Sequence, residues 1–228
     1  VSSSNHRPET GGQAAAMDRM YRLTRHIYDA TRRYYLLGRD RLLAKVATSP
    51  STATLEVGCG TARNLIHLAR RPEPGLLCGL DASHEMLETA AASIRRHRVP
   101  AAGRPEILLR QGLAEQLDAQ RMFGRSEPFD TIIFSYCLSM IPTWPGAIEA
   151  ALANLRPGGV LLIVDFWDQR ELPPAFAGLL TRWLSLFHVH YRPEVHAALA
   201  ELGRSGRAEV SFESVARRYA YIATIRKA

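Results

Sequence analysis

The stretch "TLEVGCGTARNL", residues 54–65, holds the residues whose types and spacing could do chemistry. A short apolar run ends in Glu56. Gly58 and Gly60 follow, then a segment with a helical pattern. Glycines between a strand and a helix let backbone amides approach a ligand closely. A second carboxylate, Asp81, ends the next apolar run, "GLLCGLD". A carboxylate there can accept hydrogen bonds from both hydroxyls of a ribose. Two other glycine signatures are absent. Arg63 stands where GxGxxG would have its third glycine, and no GxxxxGK[ST] loop occurs. Neither a nicotinamide enzyme nor a nucleotide triphosphatase therefore gains direct support.

Metal and disulfide chemistry find little footing. Cys59, Cys78 and Cys137 each lie in or beside a predicted strand, and none forms a CxxC pair. They read as small buried thiols in a reducing, cytoplasmic setting. His188 and His190, in "FHVHYRP", form an HxH pair with no carboxylate nearby in sequence. A structural or polar-site role fits them better than metal ligation, with substrate orientation or base catalysis as the alternative. No metal is expected.

Alternating elements must position these residues. After Pro50, "TATLEV", "GLLCGLD", "PEILLRQG", "FDTIIFSYC" and "VLLIVDFW" read as strands. "ARNLIHLARR", "SHEMLETAAASIRRH" (with Ser83 as N-cap) and "PGAIEAALANL" read as helices between them, and "RPGG" as a turn. Near-continuous Val/Ile/Leu strands alternating with helices imply a parallel sheet covered on both faces, with ligands at the carboxyl ends of its strands. A helical insertion over 170–206 follows. Two β-like runs, "AEVSFESVARR" and "YAYIATIRK", close the chain as an antiparallel pair.

The first residues, 1–16, read as a flexible tail without the apolar core of a signal peptide. Residues 17–48 read as a basic amphipathic helical lid, and 49–228 as the ligand-binding domain. The net charge is +7, and most of the excess sits between Met17 and Lys45, where eight basic residues face three acidic ones. Such clustering implies an anionic surface or ligand: nucleic acid, membrane or acidic substrate.

Taken in order, Glu56, Gly58-x-Gly60, Asp81, "QGLAEQL", "FDTIIFSYCLSMIP" and "LRPGGVLLIVDF" resemble the class I S-adenosylmethionine-dependent methyltransferases over roughly residues 50–168. The resemblance implies a Rossmann-like α/β fold with a mostly parallel seven-stranded sheet, helices on both faces and S-adenosylmethionine as cofactor. It implies that Glu56, Gly58, Cys59, Gly60 and Ser135 surround the amino-acid part of the cofactor, while Asp81 takes the ribose. Ala82 and Met86 would flank the adenine on one side, with Gly112, Leu113 and Ala114 on the other. Many relatives carry an acid where this chain has Leu113, so the adenine amino group would turn to backbone or to Glu115. Tyr28 and Arg39 are expected on the cofactor from the lid side.

"SYCLSM" lacks the [DNS]PP[YF] motif of nucleic-acid amino methylases, so no nucleic-acid partner is expected. "MDRMYRLTRHIYDATRRYYLLGRDRLL", with "SYCLSMIPTW" and "FHVHYRP", resembles the bacterial N-methyltransferase of betaine-lipid synthesis, which methylates diacylglyceryl-homoserine three times. That resemblance implies an enzyme bound peripherally to the inner face of the membrane, touching anionic lipid through the 17–45 helix. An ordinary lid helix with solvated arginines is the alternative. Tyr136 and His190 are the expected catalytic residues, with Arg32, Tyr34, Tyr35 and Ser139 on the substrate. Asp165 and Trp167 are expected to face the reacting centre, while Trp144 and Trp183 read as packing. The competing functions are a methyltransferase of another lipophilic acceptor, such as a quinone precursor, and a non-catalytic nucleic-acid-binding module.

Overall fold

The computed structural model describes residues 36–97, 106–173, 178, 182 and 191–228. The tail, most of the 17–48 lid and much of the 170–206 insertion lie outside the described residues, as do Tyr28, Arg32, Tyr34, Tyr35, Trp183, His188 and His190.

Seven strands form one sheet: β1 (Ala53–Val57), β2 (Leu76–Asp81), β3 (Ile107–Gln111), β4 (Phe129–Ser135), β5 (Leu155–Phe166), β6 (Ala208–Val215) and β7 (Ala220–Lys227). Their order across the sheet is β3-β2-β1-β4-β5-β7-β6. The first five are parallel, and β7 lies antiparallel between β5 and β6. The chain thus runs outward from β1 to β3 and restarts at β4 on the other side of β1. That reversal opens a crevice above the carboxyl end of β1.

Both faces are buried because successive side chains alternate between two cores. Leu161 and Ile163 of β5 join Ala53, Leu55 and Val57 of β1 and Ile132 and Phe134 of β4 in one core. There they meet Ala119 and Phe123 of α4 (Ala119–Phe123), Ala147, Ile148 and Leu152 of α5 (Trp144–Ala153), and Val195 and Leu199 of α6 (Pro193–Arg204). Leu162, Val164 and Phe166 enter the other core with Leu42 and Leu43 of α1 (Arg39–Ala44), Leu65 and Leu68 of α2 (Arg63–Ala69), and Leu87 and Ala90 of α3 (His84–Arg96). The sheet and its two helical layers match the expected α/β architecture. Ser83 caps α3 as its sequence position suggests, its hydroxyl accepting from the Met86 amide at 3.3 Å.

The "RPGG" stretch departs from the expected turn. It lies inside β5 as a bulge: pairing passes from Phe129↔Leu155 to Thr131↔Val160, so residues 156–159 stand opposite Asp130. Arg156 Nε donates to Asp130 Oδ1 at 2.6 Å, and Gly158 takes φ +70°. A short-range turn signal was here absorbed by a strand whose flanks pair on both sides of it.

Candidate active site

The carboxyl edge of the parallel strands carries the backbone strain. Among the described residues, six non-glycines have positive φ: Ala62, Tyr136, Gln169, Ala216, Arg217 and Arg218. Ala62 follows β1, Tyr136 follows β4 and Gln169 follows β5, while 216–218 form the β6–β7 turn beside the end of β5. Strain of this kind concentrates where a fold holds functional groups.

The glycine loop is tied down from β2. Gly58 N and Cys59 N both donate to Leu80 O, at 2.8 and 3.1 Å. Gly60 N donates to Asp81 Oδ2 at 2.8 Å, and Ser83 N to Asp81 Oδ1 at 2.9 Å. The Asp81 carboxylate therefore sets the loop. Gly58 has φ +68°, and a Cβ there would lie 2.7 Å from Cys137 Cβ. Any side chain at 58 would push the loop off β4.

Glu56 is 2% exposed, and its Oε1 accepts from Asn64 Nδ2 at 2.6 Å. Asn64 escaped the sequence reading. No motif marks it, and only the approach of α2 to β1 gives it its task of orienting Glu56. A cavity of about 480 Å³ opens over this loop, lined by Glu56, Gly58, Cys59, Gly60, Arg39 and Ser135 among others. The Ser135 hydroxyl is buried without a partner there. The expected adenine-side residues meet one another beside Asp81 and do not line that cavity: Gln111 Nε2 donates to Ala82 O at 3.1 Å and Gly112 N to Asp81 O at 3.0 Å. Met86 is buried below, and Leu113 and Ala114 are half-buried.

Beyond β4 and β5 the arrangement differs from expectation. The Tyr136 hydroxyl, expected to orient an amine, donates instead to the Leu37 carbonyl. Its ring packs 4.7 Å from Phe166, and burial pushes its pKa well up. Trp167, expected to face the reacting centre, is occupied: the Arg218 guanidinium lies 4.0 Å from its ring centre and His196 stacks on it at 5.5 Å. Arg218 in turn grips Asp168 through Nε at 2.7 Å and through Nη2, holding that carboxyl below its usual range. Trp144 packs half-buried against the core.

Asp165 is the buried carboxylate of this end. Its Oδ2 accepts from Ser139 N at 2.9 Å and its Oδ1 from Phe166 N at 2.8 Å, while Arg192 Nε donates to Ser139 O at 2.9 Å. Burial outweighs these bonds and pushes its pKa up to about 6. Arg192 is the second residue the sequence reading missed. Cys59, Cys78 and Cys137 are free and buried. Among the described residues no cluster of His, Cys, Asp or Glu could hold a metal ion.

The sequence matches the family described as "Methyltransferase domain" over residues 28–205. The chain belongs to this family. Among curated proteins, the methyltransferase domain is similar to the trans-aconitate 2-methyltransferase of Deinococcus radiodurans, at 30% identity over 54% of this chain and 41% of that protein. It is also similar to the phosphatidylethanolamine N-methyltransferase of Cereibacter sphaeroides, at 31% identity over 60% of this chain and 66% of that protein. The chain thus spans between about two fifths and two thirds of the length of these relatives. Its fold matches that of a methyltransferase in complex with the Trm112 activator from Haloferax volcanii, at TM-score 0.68 and 13% identity, covering 92% of this chain and 96% of that one.

Family and fold imply S-adenosylmethionine as the cofactor. The donor set fits it. Glu56 suits the ammonium and Arg39 the carboxylate, and the unpartnered Ser135 hydroxyl lines the same cavity; Asp81, bonded to the Gly60 amide of that loop, suits the ribose diol. Bound there, the cofactor supplies a methyl group activated on a sulfonium.

Proposed function

We propose that this methyltransferase transfers methyl groups to the amine of a lipid headgroup, with diacylglyceryl-homoserine as the acceptor. The observation that carries the reading is the likeness to a phosphatidylethanolamine N-methyltransferase, whose named substrate is also a primary amine at the polar end of a diacylglycerol lipid.

The chain's own residues have three tasks. Glu56, Asn64 and the Asp81-anchored loop fix the methyl donor. Residues at the ends of β4 and β5 present the amine lone pair roughly 3–3.5 Å from the methyl carbon, in line with the breaking bond. Transfer forms the N–C bond and breaks the C–S bond, leaving S-adenosylhomocysteine as the neutral thioether, and the proton on nitrogen passes to solvent. Asp165, buried with its two oxygens on the Ser139 and Phe166 amides, is a positioning residue that ties the chain after β4 to the end of β5. Tyr136 acts as a positioning residue, holding the 36–38 segment at the mouth.

The test is incubation with S-adenosylmethionine and diacylglyceryl-homoserine in mixed micelles, with lipid masses read afterwards. Successive methyl increments, lost in Asp81→Ala, support the reading. Methylation of phosphatidylethanolamine alone moves the acceptor to the ethanolamine headgroup. No lipid product despite cofactor binding overturns the lipid assignment and brings quinone-type acceptors forward.

A further inference from the structure

The cavity over the glycine loop does not end at the cofactor residues. It continues between α2 and α3, walled by Arg63, His67 and Arg70 on one side and by Ser93, Arg96 and His97 on the other, with Ile66 beneath. Arg63, His67 and Arg70 recur at i, i+4 and i+7 and so share one face of α2. All three are exposed, as are Arg95, Arg96 and His97 at the end of α3. Among the described residues, Arg63, Arg70, Arg95 and Arg96 make no ion pair, although Asp40 lines the same cavity. Elsewhere Arg156, Arg207 and Arg218 each hold a carboxylate, and Arg110, Arg121, Arg192 and Arg226 bond backbone carbonyls. Leu37, the exposed large apolar residue among those described, follows Leu36, which lines this cavity.

We propose that this face, made of the outer sides of α2 and the carboxyl end of α3 with Leu37 at its rim, docks on an anionic phospholipid bilayer. Unpaired guanidinium groups on two converging helices can each approach a different lipid phosphate. A single exposed leucine at the rim can enter the headgroup layer. Docking here brings the continuous groove, and with it the cofactor crevice, against the lipid surface, so that a headgroup enters without its acyl chains leaving the bilayer. The inference rests on the lipid-acceptor reading and adds where that lipid is met. It assigns the contact to the folded domain rather than to the 17–45 helix alone.

The experiment is sedimentation of the full chain with vesicles, without S-adenosylmethionine. One set is phosphatidylcholine alone and the other contains one-third phosphatidylglycerol, which is not an acceptor amine. The wild type should pellet with the anionic vesicles only, and less as salt rises. Arg70→Gln/Arg95→Gln/Arg96→Gln should lower the partition coefficient by about 10–100-fold. Thermal unfolding and S-adenosylhomocysteine binding serve as controls, and a second variant, Leu37→Ser, should weaken binding several-fold without changing its salt dependence. Unchanged partitioning of the triple variant overturns the proposal. So does tighter, salt-sensitive binding to duplex RNA than to vesicles, which would make this a nucleic-acid face. Because the vesicles contain no acceptor amine, binding here alongside absent methyl transfer would sink the acceptor assignment and leave the docking face standing.

Discussion

Asp81 anchors the glycine loop by receiving the Gly60 and Ser83 amides, and in the proposed function the same carboxylate takes the ribose diol. Asp81→Ala should weaken S-adenosylhomocysteine by at least about 100-fold in calorimetry, since charge-assisted hydrogen bonds contribute about 1.5–3 kcal/mol each. Asp165 has the opposite character. Its pKa is raised from 3.8 to about 6 by burial, so the folded protein binds that proton more tightly than the unfolded chain. Its contribution to stability is complete below about pH 4 and is lost as pH rises through about 6, a span of roughly 3 kcal/mol. Asp165→Asn should flatten the fall in Tm between those pH values relative to wild type. An unchanged slope would show that Asp165 does not titrate there.

At the scale of elements, hydrogen bonds from loop side chains set how the helices meet the sheet. Asn154, between α5 and β5, accepts from Ala119 N at 2.8 Å and donates to Leu117 O and Ala150 O at 2.9 and 2.8 Å. Asn154→Ala orphans the Ala119 amide and the Leu117 carbonyl, while Ala150 O keeps the Asn154 amide, and should cost about 1–3 kcal/mol by denaturant unfolding. Tyr136 plays the equivalent part on the other face, joining the end of β4 to the chain before α1. Tyr136→Phe should speed amide exchange over residues 36–44 and reduce turnover, while S-adenosylhomocysteine affinity stays within about twofold. Loss of cofactor affinity with turnover intact would reverse the assignment of Tyr136 to the acceptor side.

For the whole molecule, the cofactor crevice unites elements that are remote in sequence. β1, β2 and β4 meet there, and α1 and α2 close over it. A ligand at one hundred times its Kd stabilises the native state by about 2.7 kcal/mol. For a chain of 228 residues that should raise Tm by about 5–10 °C with S-adenosylhomocysteine, and the rise should vanish in Asp81→Ala. A rise that persists in the variant would place the ligand elsewhere. No helix among the described residues is long and apolar enough to cross a membrane.

The amino-acid sequence by itself determined the strands, the helix starts and the glycine loop. Two-sided apolar runs can only be buried between helical layers, Ser83 carries its own capping hydroxyl, and Gly58 suits a left-handed backbone that few residues tolerate. Those are short-range effects, and they are written in neighbouring residues. The tertiary structure alone decided which side chains meet. It paired Glu56 with Asn64, gave the Tyr136 hydroxyl to Leu37, covered Trp167 with Arg218 and His196, and turned the "RPGG" turn into a bulge. It also set Arg63 and Arg70 across a groove from Arg96. The reason is the strand order. With β1 between β2 and β4, and β7 inserted beside β5, partners are chosen by sheet neighbours tens of residues apart, and no local period encodes them.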